Sequence, residues 1–270
     1  MINEYVMDSR FQGFQWLNNE TVLFNFFTED TPMFLYSPVS KEQRILYAYQ
    51  GEGAAFLYGR DEPLRDWGHN MYHKNVHNAQ LTRFLYPTLR AQNNMVIIQD
   101  AETGIDLVEI PTQYGYGVWP SWSPDGKMLA IAINTNELIQ ENRYNRFEIF
   151  LYDQNGKQIN QTDLLSLSRS VEILTLLWAP SNQWIAFTYH SNNDGNYSDT
   201  KYGIWDITTS KINNFCLPDD AYFSAWSPDN KFLLLGTRNE TLVGTAYVLD
   251  PVTGNYLLNA DGIVPIGWLN

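Results

Sequence analysis

The sequence has only one cysteine, Cys216, in 270 residues. A single thiol cannot form an intramolecular disulfide, and it excludes a zinc site built from several cysteines. Cationic residues are also scarce, because 17 Lys and Arg stand against 30 Asp and Glu, for a formal net charge of −13. Nucleic acids and anionic membrane surfaces require a basic footprint, so the charge balance argues against both and remains compatible with a cationic partner.

Long apolar runs and catalytic motifs are missing as well. No run approaches the roughly 18 apolar residues of a membrane-spanning helix, and residues Met1–Asp8 lack the basic and apolar regions of a signal peptide. The chain contains no Gly-x-Ser-x-Gly, His-Glu-x-x-His, Walker or dinucleotide-binding glycine motif. We therefore expect no direct membrane insertion and no cofactor, and the sequence favours a non-catalytic protein.

What the sequence has in abundance is aromatic residues and one repeated turn. It contains 17 Tyr, 14 Phe and 9 Trp, a composition that favours strands. The segment Trp122-Ser-Pro-Asp-Gly-Lys precedes the apolar run Met128–Ile133, and close variants begin at Trp178 and Trp226. A fourth copy at Trp268 breaks off. Pro sets the first corner of such a turn, and Asp-Gly tolerates its second half.

Four short strands that recur with this turn about every 40 to 55 residues predict an all-β fold, a β-propeller of four-stranded antiparallel blades. A β-sandwich is the alternative, but sandwiches do not repeat one turn at blade spacing. We expect a single domain over residues 1–270, of six blades with the last incomplete, or alternatively of five. The approximate blades are 11–49, 50–110, 114–163, 171–217, 221–260 and the partial 262–270.

Residues 50–110 fit the repeat least well. Ala54–Tyr58, Met95–Gln99 and Ile105–Ile110 predict strands, and Asp100–Gly104 predicts a turn. Residues 60–80 are polar without a clear period, which predicts an insertion.

Three segments, 122–131, 147–156 and 186–196, resemble the propeller repeats of the TolB family. The resemblance covers residues 114–270 well and 11–110 loosely. It implies an extracytoplasmic or periplasmic protein that captures a peptide segment of a protein partner in its central funnel. Cytoplasmic location is the alternative, because no signal peptide is visible. The sequence predicts no particular oligomeric state.

Chain direction within a blade sorts the loops onto two faces. Loops between the first and second strands, and between the third and fourth, are short, whereas the others are long and rich in polar and aromatic residues. Extended loops on a rigid scaffold commonly carry binding, although the aromatic residues would alternatively wedge between blades. The predicted binding residues are Tyr114, Tyr116, Trp119, His190, Asp194, Asp219, Asp220, Tyr222 and Phe223.

Two segments of the sequence contain residue types that metal ions bind. His69, His73 and His77 would share one face of a helix, within reach of a metal, but Gly68 and weak apolar periodicity favour a solvated insertion. Residues Asn192–Asn196 have calcium-loop residue types without the alternating carboxylates and bidentate Glu of a strong site. We expect no metal.

The alternative functions are a propeller enzyme and an accessory domain. A glycan or ester hydrolase would use paired funnel carboxylates, and the candidate acids are Glu137, Glu141, Asp194, Asp199, Asp219 and Asp220. An accessory propeller would belong to a larger protein such as a serine peptidase.

Overall fold

The computed structural model describes thirteen stretches of the chain, and every structural statement below concerns them. They are residues 11–18, 20–26, 33–46, 78–80, 82–90, 93–112, 119–135, 146–166, 168, 170–192, 200–215, 221–237 and 244–261. The chain divides into two compact units, residues 1–112 and 113–270. Each unit is described by itself, and the single domain stays a prediction.

The first unit contains two antiparallel sheets. Sheet 1 consists of β1 (Phe11–Asn18), β2 (Thr21–Phe26), β3 (Met33–Tyr36) and β4 (Gln43–Leu46), and sheet 2 of β5 (Arg83–Arg90), β6 (Asn93–Asp100) and β7 (Asp106–Pro111). In both sheets each strand pairs with the next one along the chain.

The second unit contains three four-stranded meanders. Sheet 3 consists of β8 (Trp119–Trp122), β9 (Met128–Asn134), β10 (Phe147–Asp153) and β11 (Gln158–Gln161), and a 3₁₀ helix (Leu164–Ser166) follows it. Sheet 4 consists of β12 (Ser170–Trp178), β13 (Trp184–Asn192), β14 (Thr200–Asp206) and β15 (Lys211–Phe215). Sheet 5 consists of β16 (Ala221–Trp226), β17 (Leu233–Thr237), β18 (Thr245–Leu249) and β19 (Tyr256–Asp261).

The all-β prediction is confirmed, and the five sheets of the described residues match the five-blade alternative. Four of the sheets have four strands, as expected for blades, and sheet 2 has three. The terminal segment 262–270 and the predicted strand Ala54–Tyr58 lie outside the described residues.

The same type of turn joins the last two strands in all five sheets. It shows which strands of a blade are present in sheet 2. In each copy an Asp or Ser side-chain oxygen accepts backbone N–H groups two to four residues ahead, and the turn includes a residue with positive φ. The accepting residues are Ser37, Asp100, Asp153, Asp206 and Asp250, and the positive-φ residues are Lys41, Gly104, Gly156, Ser210 and Gly254. Sheet 2 has this turn between β6 and β7, so its strands correspond to the second, third and fourth strands of a blade.

The repeat also extends further into residues 50–110 than the sequence pattern indicates. Asn78 donates its backbone N–H to Arg83 O at 3.2 Å, and its Oδ1 accepts the Arg83 N–H at 2.9 Å. Ser123 makes the same pair of contacts with Met128, through its N–H and its Oγ. The prediction of an insertion over 60–80 is therefore wrong for Asn78–Gln80. The side-chain amide oxygen of Asn78 makes the contact that the serine hydroxyl makes in the Pro turn.

The Trp residues of the repeated turn connect neighbouring sheets in the second unit. Trp178 Nε1 donates to Ser121 O in sheet 3 at 3.0 Å, and Trp226 Nε1 donates to Leu177 O in sheet 4 at 3.1 Å. Each acceptor immediately precedes the Trp of its own sheet. The two indoles are only 4% and 6% exposed, so each supplies both apolar burial and a polar link between sheets.

A second contact repeats between the turns themselves. Asn182 Oδ1 accepts the Asp125 N–H of the previous sheet at 3.0 Å, and Asn230 Oδ1 accepts the Ser181 N–H at 2.6 Å. Both asparagines have positive φ, 61° and 64°, a conformation that Asn tolerates better than most residues. The second strands β9 and β13 are buried on both faces, with Leu129–Ala132 fully buried, whereas Leu234 of β17 is only partly buried.

Candidate functional site

The turns at one end of sheets 3–5 satisfy most of their own backbone N–H groups. At this end lie the turns between the first and second strands and between the third and fourth strands. Their N–H groups bond within each turn or to the Asn of the next sheet. We call this end the short-turn edge. It offers a ligand few free backbone groups.

The other end, which we call the long-loop edge, holds the connections between second and third strands. These are residues 135–146, 193–199 and 238–244. The connections from sheet 3 to sheet 4 and from sheet 4 to sheet 5 reach the same edge, because the strands of a meander alternate in direction. The predicted division into short and long loops is confirmed for the connections between second and third strands, which are longer than the turns at the other end. The connection from sheet 4 to sheet 5, residues 216–220, is no longer than those turns, so the prediction of a long loop is wrong there.

At the long-loop edge, three polar side chains of sheet 4 form a row across three strands. Glu172 of β12 pairs with His190 of β13, and His190 pairs with Thr200 of β14. His190 Nε2 lies 3.3 Å from Thr200 Oγ1, and His190 Nδ1 lies 3.9 Å from Glu172 Oε2. Directly paired residues share one face of a sheet, so the register places all three side chains together. We call them the Glu172 row.

The Glu172 row lies on the face of sheet 4 that packs against sheet 5. Ala186 and Ile204, in alternating register with His190 and Thr200, belong to the apolar cluster that includes Trp226 and Leu233 of sheet 5. One further pair of this face, Ser170 and Asn192, lies between the row and the long connection. Its side chains are partly exposed, 34% for Glu172 and 30% for His190, whereas the neighbouring Val171 and Ile173 are buried.

Two aromatic residues lie one level below the row. The Tyr202 and Phe223 rings meet edge to face, with centroids 5.8 Å apart and planes at 84°. Tyr202 Oη donates to Ala221 O at 2.9 Å, which joins β14 to the first residue of β16. Phe223 is partly buried against the cluster between sheets 4 and 5, the wedge position that was the alternative for these aromatic residues.

The predicted binding residues divide into three groups. His190 and Phe223 are described with their side chains, His190 on sheet 4 and Phe223 on sheet 5. Trp119 and Tyr222 are described by their backbone pairing only, opposite Ala132 and Gly236. Tyr114, Tyr116, Asp194, Asp219 and Asp220 lie outside the described residues, as do His69, His73 and His77. The sequence reasoning missed Glu172, because one acid in an apolar strand carries no signal of its cross-strand partner.

No group of three metal-ligating side chains occurs within the described ranges. In the same part of the chain, no helix is long and apolar enough to cross a membrane.

A buried carboxylate anchors the connection from sheet 3 to sheet 4 at the long-loop edge. Glu148 of β10 is 4% exposed. Its carboxylate accepts the Thr162 hydroxyl at 2.5 Å and the backbone N–H groups of Leu164 and Leu165, both at 2.9 Å. Burial raises the pKa of Glu148 above 4.5 and outweighs these three hydrogen bonds, which act in the opposite direction.

The raised pKa predicts a pH-dependent stability. Between the pKa of the unfolded chain and the higher folded pKa, the native state holds the Glu148 proton more tightly, so this contribution to stability falls as pH rises through that window. Glu148→Gln cannot titrate. The free energy of unfolding of wild type minus that of Glu148→Gln is therefore expected to decrease from about pH 4 upward, measured by urea denaturation.

The control is Glu102→Gln, which removes one charge at an exposed turn. A wild-type advantage over Glu148→Gln that grows as pH rises would contradict the expected direction.

No protein-family model and no curated protein sequence matches this chain. Among solved structures it is similar to TolB from Acinetobacter baumannii, at 16% identity and TM-score 0.57, over 93% of this chain and 54% of that one. It is also similar to dipeptidyl peptidase 4 from Porphyromonas gingivalis, at 15% identity and TM-score 0.52, over 92% of this chain and 40% of that one.

A third similar structure is an oligogalacturonate lyase from Vibrio parahaemolyticus, at 11% identity and TM-score 0.56, over 89% of this chain and 62% of that one. The chain thus spans about half the length of TolB and less than half of the peptidase. At such identities the likeness shows the fold alone. The protein is a β-propeller, and its propeller is TolB-like.

Proposed function

We propose that this protein is a non-catalytic β-propeller scaffold that captures a peptide segment of a protein partner at the long-loop edge of sheets 3–5. The observation that carries the proposal is the contrast between the two edges. The short-turn edge satisfies its polar groups internally and cross-links its own turns. The long-loop edge combines the longer connections between second and third strands with the partly exposed Glu172 row.

The chemistry of the long-loop edge suits a peptide better than a small substrate. Aromatic side chains with a few charged groups are typical of protein-recognition surfaces, and the predicted binding residues here are mainly tyrosine, phenylalanine and tryptophan. The Trp contacts link neighbouring sheets near the short-turn edge, so the long connections are attached to sheets that are joined to one another. By resemblance to TolB, we also propose an extracytoplasmic location.

The test is selection of peptides from a displayed random library on the immobilised full chain, followed by affinity measurement of the selected peptides. The double variant Tyr116→Ala, Tyr222→Ala is expected to bind them at least about 10-fold more weakly, because aromatic anchors supply much of the binding energy of an interface. Its urea midpoint should stay near that of wild type.

The matched control is Tyr256→Ala on β19, which removes an exposed tyrosine from the outer strand of sheet 5. Equal affinity of the double variant and wild type would place capture elsewhere. A large loss of stability in the double variant would show that these rings belong to the core.

A further inference from the structure

We propose that the Glu172 row is a subsite for a cationic nitrogen group of the captured segment, the ammonium or guanidinium of a Lys or Arg side chain. This inference rests on the proposed function and names the ligand class of the same edge. It is carried by the geometry of Glu172, His190 and Thr200, of which only His190 is among the binding residues predicted from the sequence.

The carboxylate of Glu172 is available to a ligand in both charge and access. Its ion-pair partner among the described residues is His190, whose Nδ1 lies 3.9 Å away, longer than a hydrogen bond. The side chain is 34% exposed at the edge of the sheet, so a cation reaches it without opening the core.

His190 and Thr200 add further hydrogen-bond acceptors beside the Glu172 carboxylate. The His190 ring is held at its far side by Thr200 Oγ1, 3.3 Å from Nε2. The register continues the row from the first strand of the sheet to the third. An ammonium or guanidinium group donates several hydrogen bonds and accepts none, which fits a carboxylate beside an imidazole and a hydroxyl.

The surroundings of the row favour a cation over an anion. Lys201 adjoins Thr200 in sequence, but alternation along β14 places its side chain on the opposite face of sheet 4. One level below the row, about 6.5 Å along the strands, lie the Tyr202 and Phe223 rings. Tyr202 is 1% exposed and lies on the third strand of the sheet, two strands from Glu172, so these rings lie beneath Thr200 and bring no positive charge to the row.

The experiment uses the peptides selected on the wild-type full chain. Each basic position is resynthesised as Lys, norleucine, Arg or citrulline, with free and acetylated N-termini, and affinities are measured for wild type, Glu172→Gln and the control Glu102→Gln. We expect enrichment of Lys or Arg in the selected peptides. Replacing one such position by its neutral isostere should weaken binding to wild type about 10-fold or more, as for other charge-assisted contacts.

Glu172→Gln should lose this discrimination, whereas Glu102→Gln should keep it. Selected peptides without basic enrichment, or a preference that survives Glu172→Gln, would overturn the cationic subsite while leaving peptide capture in place. Dependence on a free N-terminus alone would assign the row to an α-amino group and overturn the side-chain assignment. Failure to select any peptide would overturn the proposed function, and the subsite with it. If Glu172→Gln folds poorly, the comparison of basic peptides with their neutral isosteres on the wild-type protein still tests the proposal.

Discussion

Trp178→Ala is expected to lower the free energy of unfolding by about 3–5 kcal/mol, in the range of large-to-small replacements of buried aromatic side chains. Trp178 is 4% exposed and lies in the cluster between sheets 3 and 4 with Phe147, Ile149 and Phe187. The change removes this packing and leaves Ser121 O without its Nε1 donor. Urea denaturation followed by circular dichroism measures the loss.

Trp178→Phe separates the two contributions. Phenylalanine keeps much of the apolar ring but cannot donate to Ser121 O, so we expect a loss of about 1–3 kcal/mol, the cost of an unsatisfied buried acceptor. Trp226→Phe, which removes the equivalent bond to Leu177 O, should lose a similar amount. Val252→Ala, at a residue 74% exposed, is the control. A loss no larger than the control for either Trp replacement would disprove the role of this contact.

Gly203→Ala is expected to destabilise the protein by about 1–3 kcal/mol through overpacking. Gly203 of β14 pairs with Phe187 of β13. A Cβ at position 203 would lie 2.8 and 2.9 Å from Phe187 Cε1 and Cε2, and closer still to Cζ. The Phe187 ring is fully buried, so it cannot turn aside without disturbing the cluster between sheets 3 and 4.

A double-mutant cycle tests this cause. If the clash with the ring is responsible, Phe187→Leu should relieve part of the penalty, and the double variant should be more stable than the sum of the single changes indicates. Val252→Ala, at a residue 74% exposed, is the control. Strict additivity would locate the strain elsewhere.

These two changes act on the support of the candidate site and not on the site itself. Trp178 and Phe187 lie between sheets 3 and 4, and the Glu172 row lies on the opposite face of sheet 4. Trp178→Ala and Gly203→Ala should therefore reduce peptide binding only in proportion to the loss of folded protein. Glu172→Gln differs, because it changes a partly exposed group and leaves the cluster intact.

Much of the fold is readable from local sequence because each blade closes its own hydrogen bonds. In the second unit the Pro turns and the apolar second strands predict the bounds of the strands in sheets 3–5 to within a few residues. The prediction fails at β5, where Pro87 lies within the strand and Asn78 replaces the serine of the turn. The amide of Asn78 accepts the same N–H group as a serine hydroxyl, which a search for Ser-Pro-Asp-Gly does not detect.

The sequence by itself determined the β-propeller class, the Pro turns and the division into short and long loops, since these depend on turn chemistry and on strand periodicity. Only the tertiary structure decided which residues share a face across strands. Pairing register brings Glu172 and Thr200 to His190, although 28 residues separate the two. It likewise joins Glu148 to Leu164 and Leu165. Register depends on the whole sheet, because a slip of one residue moves every side chain to the other face.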